Sequence, residues 1–260
     1  MNATKNNLLA AAVMTALSLL GSAASADSNI YENLLDSSVW IVNETEGSRG
    51  SGVVVDAERR LVVTNYHVVG EASHTDVYFS AYDEDSRLVT DRATYRSNHN
   101  TLRQMGMAAR GKVVGTWKKR DLALIQLDTL PEDVRGVKLA DSPVKPGEAI
   151  HSIGNPGLSD SLWVYSPGRV RQVHQKAWSF SDGQEVDSRV IQTSSPINPG
   201  DSGGPVVNSA GELVGVMSAS STTARLMTYA IEASEIRELL DWYNKEHPDA
   251  GAPQLASSGY

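Results

Sequence analysis

Three side chains far apart in the chain have the types that hydrolysis through a hydroxyl requires: Ser202, His67 and Asp121. A serine hydroxyl is a poor nucleophile unless a base takes its proton and donors stabilise the oxyanion that forms. Ser202 lies in Ser195-Pro196-Ile197-Asn198-Pro199-Gly200-Asp201-Ser202-Gly203-Gly204-Pro205, where glycine and proline crowd it from both sides. Gly200 can adopt backbone angles closed to other residues, which lets successive N–H groups point the same way beside Ser202. Gly203 and Gly204 leave room for another segment to approach closely. Alone, such a cluster is a hairpin turn. A base and an acid elsewhere in the chain give it a second meaning.

His67 falls in Asn65-Tyr66-His67-Val68-Val69-Gly70, directly after the apolar run Leu61-Val62-Val63-Thr64, where a strand ends and the chain turns. Asp121 follows Lys118-Lys119-Arg120 and heads the buried run Leu122-Ala123-Leu124-Ile125-Gln126-Leu127. A lone histidine beside an apolar run is ordinarily structural, and a lone aspartate there is ordinarily a cap or turn residue. With Ser202 they supply a base and an acid to orient it.

The elements that must position these groups read as strands. Ser38–Val42, Gly52–Val55 and Leu61–Thr64 are short β-branched runs, the last two joined by the polar turn Asp56–Arg60 as a hairpin. Asp76–Phe79 and Lys112–Trp117 follow, separated by a polar surface excursion from Ala81 to Arg110 with a weak helical hint at Leu102–Met105. Pro131, Pro143 and Pro146 punctuate a strand-poor connection from Asp128 to Glu148, which divides a first half (37–135) from a second (140–248). In the second half Ala149–Ile153, Leu162–Tyr165, Arg169–Val173, Arg189–Gln192, Pro205–Val207, Leu213–Val216 and Leu226–Ile231 are expected strands, with a turn at Ser166-Pro167-Gly168. Ile236, Leu239, Leu240 and Tyr243 recur at helical spacing and predict one C-terminal amphipathic packing helix. The fold class is therefore all-β, and a disordered tail is expected over 249–260.

Composition bounds the setting. Lys5, an apolar run from Leu8 to Leu20 and the small-residue site Ala24-Ser25-Ala26 predict a cleaved signal peptide over 1–26. The run is shorter than the roughly 20 apolar residues needed to span a bilayer, so no membrane attachment is expected after cleavage. The product would be exported, periplasmic or secreted. The sequence has no cysteine, so the fold must rest on its core rather than on disulfides. The formal charge is −8 including Lys5, which argues against nucleic acid or anionic lipid as a partner. His74, His99, His151, His174 and His247 lack metal-ligand spacing, so neither metal nor cofactor is expected.

Three blocks together resemble the chymotrypsin-like serine peptidases, and among them the bacterial HtrA/Deg branch. They are Ser51–Val55 with Leu61–Val69, then Arg120–Ile125, then Gln192 through Gly200-Asp201-Ser202-Gly203-Gly204-Pro205 to Val216. Gly154-Asn155-Pro156 and Tyr229-Ala230-Ile231 are weaker echoes, and the likeness covers roughly residues 37–240. The resemblance implies two six-stranded antiparallel barrels with a catalytic cleft between them. It further implies that His67 is the general base, that Asp121 orients it, and that the backbone N–H groups of Gly200 and Ser202 form the oxyanion hole. Peptides or proteins would be the substrates.

Departures from the family pattern matter too. Asp201 stands where HtrA-like members more often carry asparagine. Trypsins pair this aspartate with an amino terminus released by cleavage, and no Ile-Val-Gly-Gly-like segment precedes Val39. A nearby arginine or the backbone is its expected partner. No PDZ domain is expected after the C-terminal helix. Alignment of the motif puts Pro196 at the base of the primary pocket, with Ser218, Ala219 and Ser220 forming its wall and the strand edge that pairs with substrate. No aspartate occupies the base, so small or medium apolar side chains are the expected preference. One alternative remains, a peptide-binding module that keeps the fold but has a collapsed oxyanion loop and cleaves poorly.

Overall fold

The runs of valine, isoleucine and leucine form strands that close on themselves twice. In the computed structural model, residues 28–220 and 227–248 are described; the expected signal peptide 1–26 and tail 249–260 lie outside them. The first barrel contains β1 (Ser38–Asn43), β2 (Ser48–Asp56), β3 (Leu61–Thr64), β4 (His74–Tyr78), β5 (Ala108–Trp117) and β6 (Leu122–Leu127), in the order β1-β2-β3-β6-β5-β4. The second contains β7 (Ala149–Gly154), β8 (Val164–Ser179), β9 (Glu185–Thr193), β10 (Pro205–Asn208), β11 (Leu213–Ser220) and β12 (Thr228–Glu232), in the order β10-β11-β12-β9-β8-β7. All the ladders within both barrels are antiparallel. This is the two-barrel, all-β architecture that the resemblance implied.

Strand β1 shows how sequence becomes architecture. Side chains alternate faces along a strand, so Val39 and Ile41 enter the interior of the first barrel while Trp40 and Val42 join the core shared between the barrels. That shared core also takes Leu122 and Leu124 from β6, with Ile153, Val190 and Val216 from the second barrel. Burying an aliphatic side chain of this size stabilises by roughly 1.5–3 kcal/mol. The layer therefore clamps the two barrels together. Helix α5 (Ala233–Glu246) buries Ile236, Leu239 and Tyr243. A Cβ on Gly115 of β5 would lie 2.7 Å from the Trp242 ring, so this helix ties the second barrel back to the first.

Three expectations need correction. The chain does not turn at Ser166-Pro167-Gly168 but runs straight through it as β8, with Pro167 opposite His151 and Gly168 opposite Ile150. Glycine is required there for a close approach, since a Cβ would lie 2.1 Å from Ser195 Oγ. The excursion lies over 79–107 rather than 81–110, because β4 ends at Tyr78 and β5 starts at Ala108, and it is not merely a polar surface loop. It holds helices α3 (Arg92–Ser97), capped by the Asp91 carboxylate on Thr94 N, and α4 (His99–Gln104), and it buries Tyr95 and Leu102. Finally, a helix α1 over 28–35 precedes β1, where no helix was expected.

Candidate active site

His67 lies on the short helix α2 (Tyr66–Val69) that follows β3, and Asp121 sits just before β6. Strands β3 and β6 are paired neighbours, with Thr64 opposite Ala123, so the two side chains meet at one end of the first barrel. A one-turn 3-10 helix, Lys118–Arg120, ends with Asp121 in the left-handed region at φ 53°, a conformation aspartate tolerates better than most residues. Asn65 donates to the Asp121 carbonyl at 2.9 Å and holds this corner in place.

The Asp121 carboxylate is fully buried, yet surrounded by donors. It accepts from His67 Nδ1 at 2.9 Å to both oxygens, from His67 N at 3.1 Å and from Ser218 Oγ at 2.6 Å. A carboxylate only accepts, so the proton of the neutral imidazole sits on Nδ1 and the lone pair is left on Nε2. The His67 ring is half-buried, and Phe180 in the β8–β9 turn packs 4.8 Å from it.

Ser202 comes from the second barrel, between β9 and β10, and reaches the same place. Its Oγ donates to Ser218 O at 3.1 Å, so Ser218 touches Ser202 through its carbonyl and Asp121 through its hydroxyl. Among the described residues no hydrogen bond joins Ser202 Oγ to His67. The loop is fixed from below by Ser51 of β2, whose N–H donates to Ser202 O at 2.7 Å and whose hydroxyl donates to Gly200 O at 2.8 Å. Gly203, at φ 86°, admits this approach; a Cβ there would lie 2.0 Å from Ser51 O.

Gly200 has φ 102°, and a Cβ on it would lie 2.4 Å from Asn155 O and 2.7 Å from Gly157 N. Pro199 O accepts from Gly157 N at 2.5 Å. A trans peptide points its C=O and N–H in opposite directions, so Gly200 N–H is turned away from Gly157. Among the described residues neither Gly200 N–H nor Ser202 N–H has a partner in the protein. The loop thus carries two unused donors flanking Asp201, whose own N–H is taken by Asn198 O at 3.0 Å.

Residues 50–216 match the model of the trypsin-like peptidase domain. The chain belongs to the trypsin-like peptidase family. A Bacillus subtilis relative described as serine protease Do-like HtrA is 30% identical over 224 residues, covering 82% of this chain and 44% of the relative. The periplasmic serine endoprotease DegP of Salmonella typhimurium is 34% identical over 172 residues, 65% of this chain and 30% of that one. The chain thus spans less than half the length of these two curated relatives. In fold it is similar to the crystal structure of the M. tuberculosis Rv3671c protease in its active form (TM-score 0.65, 20% identity, 84% of this chain and 85% of that one). The Ser343Ala mutant of Rv3671c in its inactive form has the same TM-score, with 86% and 95% covered, and Deg5 gives 0.60 at 23% identity, with 83% and 92% covered.

Within this trypsin-like frame the remaining expected residues fall less neatly. Pro196 is exposed after Ser195, whose carbonyl is held by Thr228 Oγ1 at 2.7 Å. Ser218 is buried with its hydroxyl on Asp121, a role that its assignment to the pocket wall did not foresee. Ala219 and Ser220 lie on β11 opposite Tyr229 and Thr228. Asp201 is buried, accepts from Asn198 N at 2.8 Å, and has its carboxyl pushed up to about 6 by desolvation. Arg92 and the Asn198 bonds act in the opposite direction. Three further residues went unassigned from sequence. Ser51 was in view inside the first block, but nothing local marked Phe180 or Arg92.

Proposed function

We propose that this chain is a serine endopeptidase that hydrolyses peptide bonds through an acyl-enzyme, with Ser202 as nucleophile, His67 as general base and Asp121 as its orienting acid. The observation that carries this reading is the junction at Ser218, where hydrogen bonds from Ser202 and to Asp121 meet between the barrels, with His67 Nδ1 at 2.9 Å from the same carboxylate oxygen that Ser218 Oγ reaches. Turning Ser202 Oγ from Ser218 O toward His67 Nε2 is a side-chain rotation, and catalytic hydrogen bonds commonly tighten only once substrate is bound. His67 then takes the hydroxyl proton as Oγ attacks the scissile carbonyl, and returns it to the leaving amine. Asp121 stabilises the imidazolium without taking its proton. The unused N–H groups of Gly200 and Ser202 receive the oxyanion. Water repeats the sequence on the acyl-enzyme.

Proteins or peptides are the substrates, pairing with the β11 edge at Ser218, Ala219 and Ser220. With Pro196 at the base, the pocket takes small or medium apolar side chains. The leader 1–26 directs the product to the periplasm or outside the cell, a setting shared with the relative described as periplasmic. Casein cleavage by wild type and its loss in Ser202→Ala test the reading; equal cleavage by both would overturn it.

One observation favours a second reading, a peptide-binding module that cleaves poorly: Ser202 Oγ is engaged with Ser218 O rather than with His67. Against it stand the two free donors, since a collapsed oxyanion loop would turn them inward. Peptide binding without casein cleavage or fluorophosphonate labelling would favour the module.

A further inference from the structure

The excursion between β4 and β5 reaches across to the second barrel and meets the Asn155–Gly157 loop. Leu162 N donates to Thr90 O at 2.8 Å, and Trp163 Nε1 donates to Tyr95 OH at 3.1 Å. At the centre of this contact Arg92 Nη2 donates to Asn155 O at 2.7 Å and to Pro156 O at 2.8 Å. Its guanidinium lies 5.4 Å from the centroid of Trp40. Among the described residues Arg92 is the donor that Asn155 O has. The next peptide continues the chain of contacts, with Gly157 N on Pro199 O at 2.5 Å. Pro199 O belongs to the peptide whose other end is Gly200 N–H.

We propose that Arg92 is a positioning residue for the oxyanion donors. Its guanidinium fixes the Asn155–Gly157 loop, that loop fixes the Pro199–Gly200 peptide, and its charge accompanies buried Asp201 beside the nucleophile. The excursion thereby supplies, from within the folded chain, a cation whose field reaches the buried Asp201. This inference rests on the reading of Gly200 N–H as an oxyanion donor.

Charge supports what the contacts show. Arg92 makes no direct ion pair with Asp201 among the described residues, yet its field opposes the upward push of burial on that carboxyl. Burial and Arg49 of β2 act against the Arg92 charge, while Asp201 and Asp160 favour it. A neutral residue at 92 leaves Asn155 O without that donor and lets Asp201 take up a proton at higher pH. A structural role confined to the excursion would do neither.

The test is the rate of fluorophosphonate labelling of the full chain, measured against probe concentration from pH 5 to 9. Phosphonylation develops the same oxyanion and needs no known substrate. Arg92→Ala is expected to lower the maximal rate at least tenfold, to change the half-saturating probe concentration less than threefold, and to move the acid limb upward. Arg92→Lys should recover most of the loss. In the background of Asp201→Asn, the effect of Arg92→Ala should shrink. Should Arg92→Ala not fold, Arg92→Met, which keeps much of the side chain's length but drops both donor and charge, is read by the same criteria. Wild-type rate and acid limb in the folded neutral variant would overturn the inference while leaving the peptidase reading intact. Absence of labelling in wild type would instead strike the peptidase reading, and this inference with it.

Discussion

Gly200→Ala is the substitution whose consequence can be worked furthest. The new Cβ would stand 2.4 Å from Asn155 O and 2.7 Å from Gly157 N, both backbone atoms that cannot swing aside as a side chain would. At φ 102° alanine is also outside its comfortable backbone range, at a cost of about 1–2 kcal/mol. Rotating the Pro199–Gly200 peptide relieves both problems, and it takes the Gly200 N–H off its aim. Loss of one oxyanion donor costs about 3–4 kcal/mol of barrier, and each 1.36 kcal/mol is roughly tenfold, so kcat should fall about 10²–10³-fold. The donor acts on charge that develops in the transition state, so KM should change little. The folding cost corresponds to a Tm lower by only about 2–8 °C, leaving the variant folded at 25 °C. Initial rates on a casein-derived peptide, measured beside a thermal melt, provide both readings. A lowered Tm with kcat within fivefold of wild type would refute the assignment of Gly200.

Other expectations follow from particular contacts. Burial raises the Asp201 carboxyl to about 6 from its ordinary 3.8, so the folded chain holds that proton more tightly than the unfolded one. The resulting contribution to stability is complete below about pH 4 and is lost as pH rises through about 6, a change of about 2–3 kcal/mol. Urea midpoints of wild type and Asp201→Asn should therefore diverge across this window; parallel curves would contradict the burial argument. Tyr95→Phe removes the oxygen that accepts from Ala81 N and Trp163 Nε1, leaving two buried donors unmet. At about 1–3 kcal/mol each, the unfolding free energy should drop by roughly 2–6 kcal/mol, and a loss below about 0.5 kcal/mol would show that the excursion is not anchored there. A peptide library should reveal preference for small or medium apolar residues before the scissile bond, whereas cleavage strictly after Lys or Arg would overturn the role given to Pro196.

How much of this was legible in the sequence depended on how local each signal is. The strands around the site were visible because β-branched runs such as Leu61–Thr64 and Leu122–Leu127 carry their preference within a few residues. The blocks that hold Ser202, His67 and Asp121 were visible because they are long and fall in one order along the chain. The helices of the excursion were not, because Tyr95 and Leu102 are the residues they bury, too few to set a helical period. Strand β8 was broken too early because Pro167 and Gly168 read as a turn, while the close passage of Ser195 that demands Gly168 is a tertiary fact. Ser218 and Arg92 were hidden for a similar reason. The hydroxyl of one lies 97 residues from its partner, and the guanidinium of the other acts 63 and 64 residues away. No spacing rule spans such distances.

In the proposed reaction Ser202 is a nucleophile activated by His67. Incubation of the protein with a fluorophosphonate, followed by digestion and mass spectrometry, tests it directly. A single adduct on Ser202, abolished in Ser202→Ala and slowed by orders of magnitude in His67→Ala, is the predicted result. No adduct on the folded wild-type protein, or an adduct forming equally fast without His67, would contradict it.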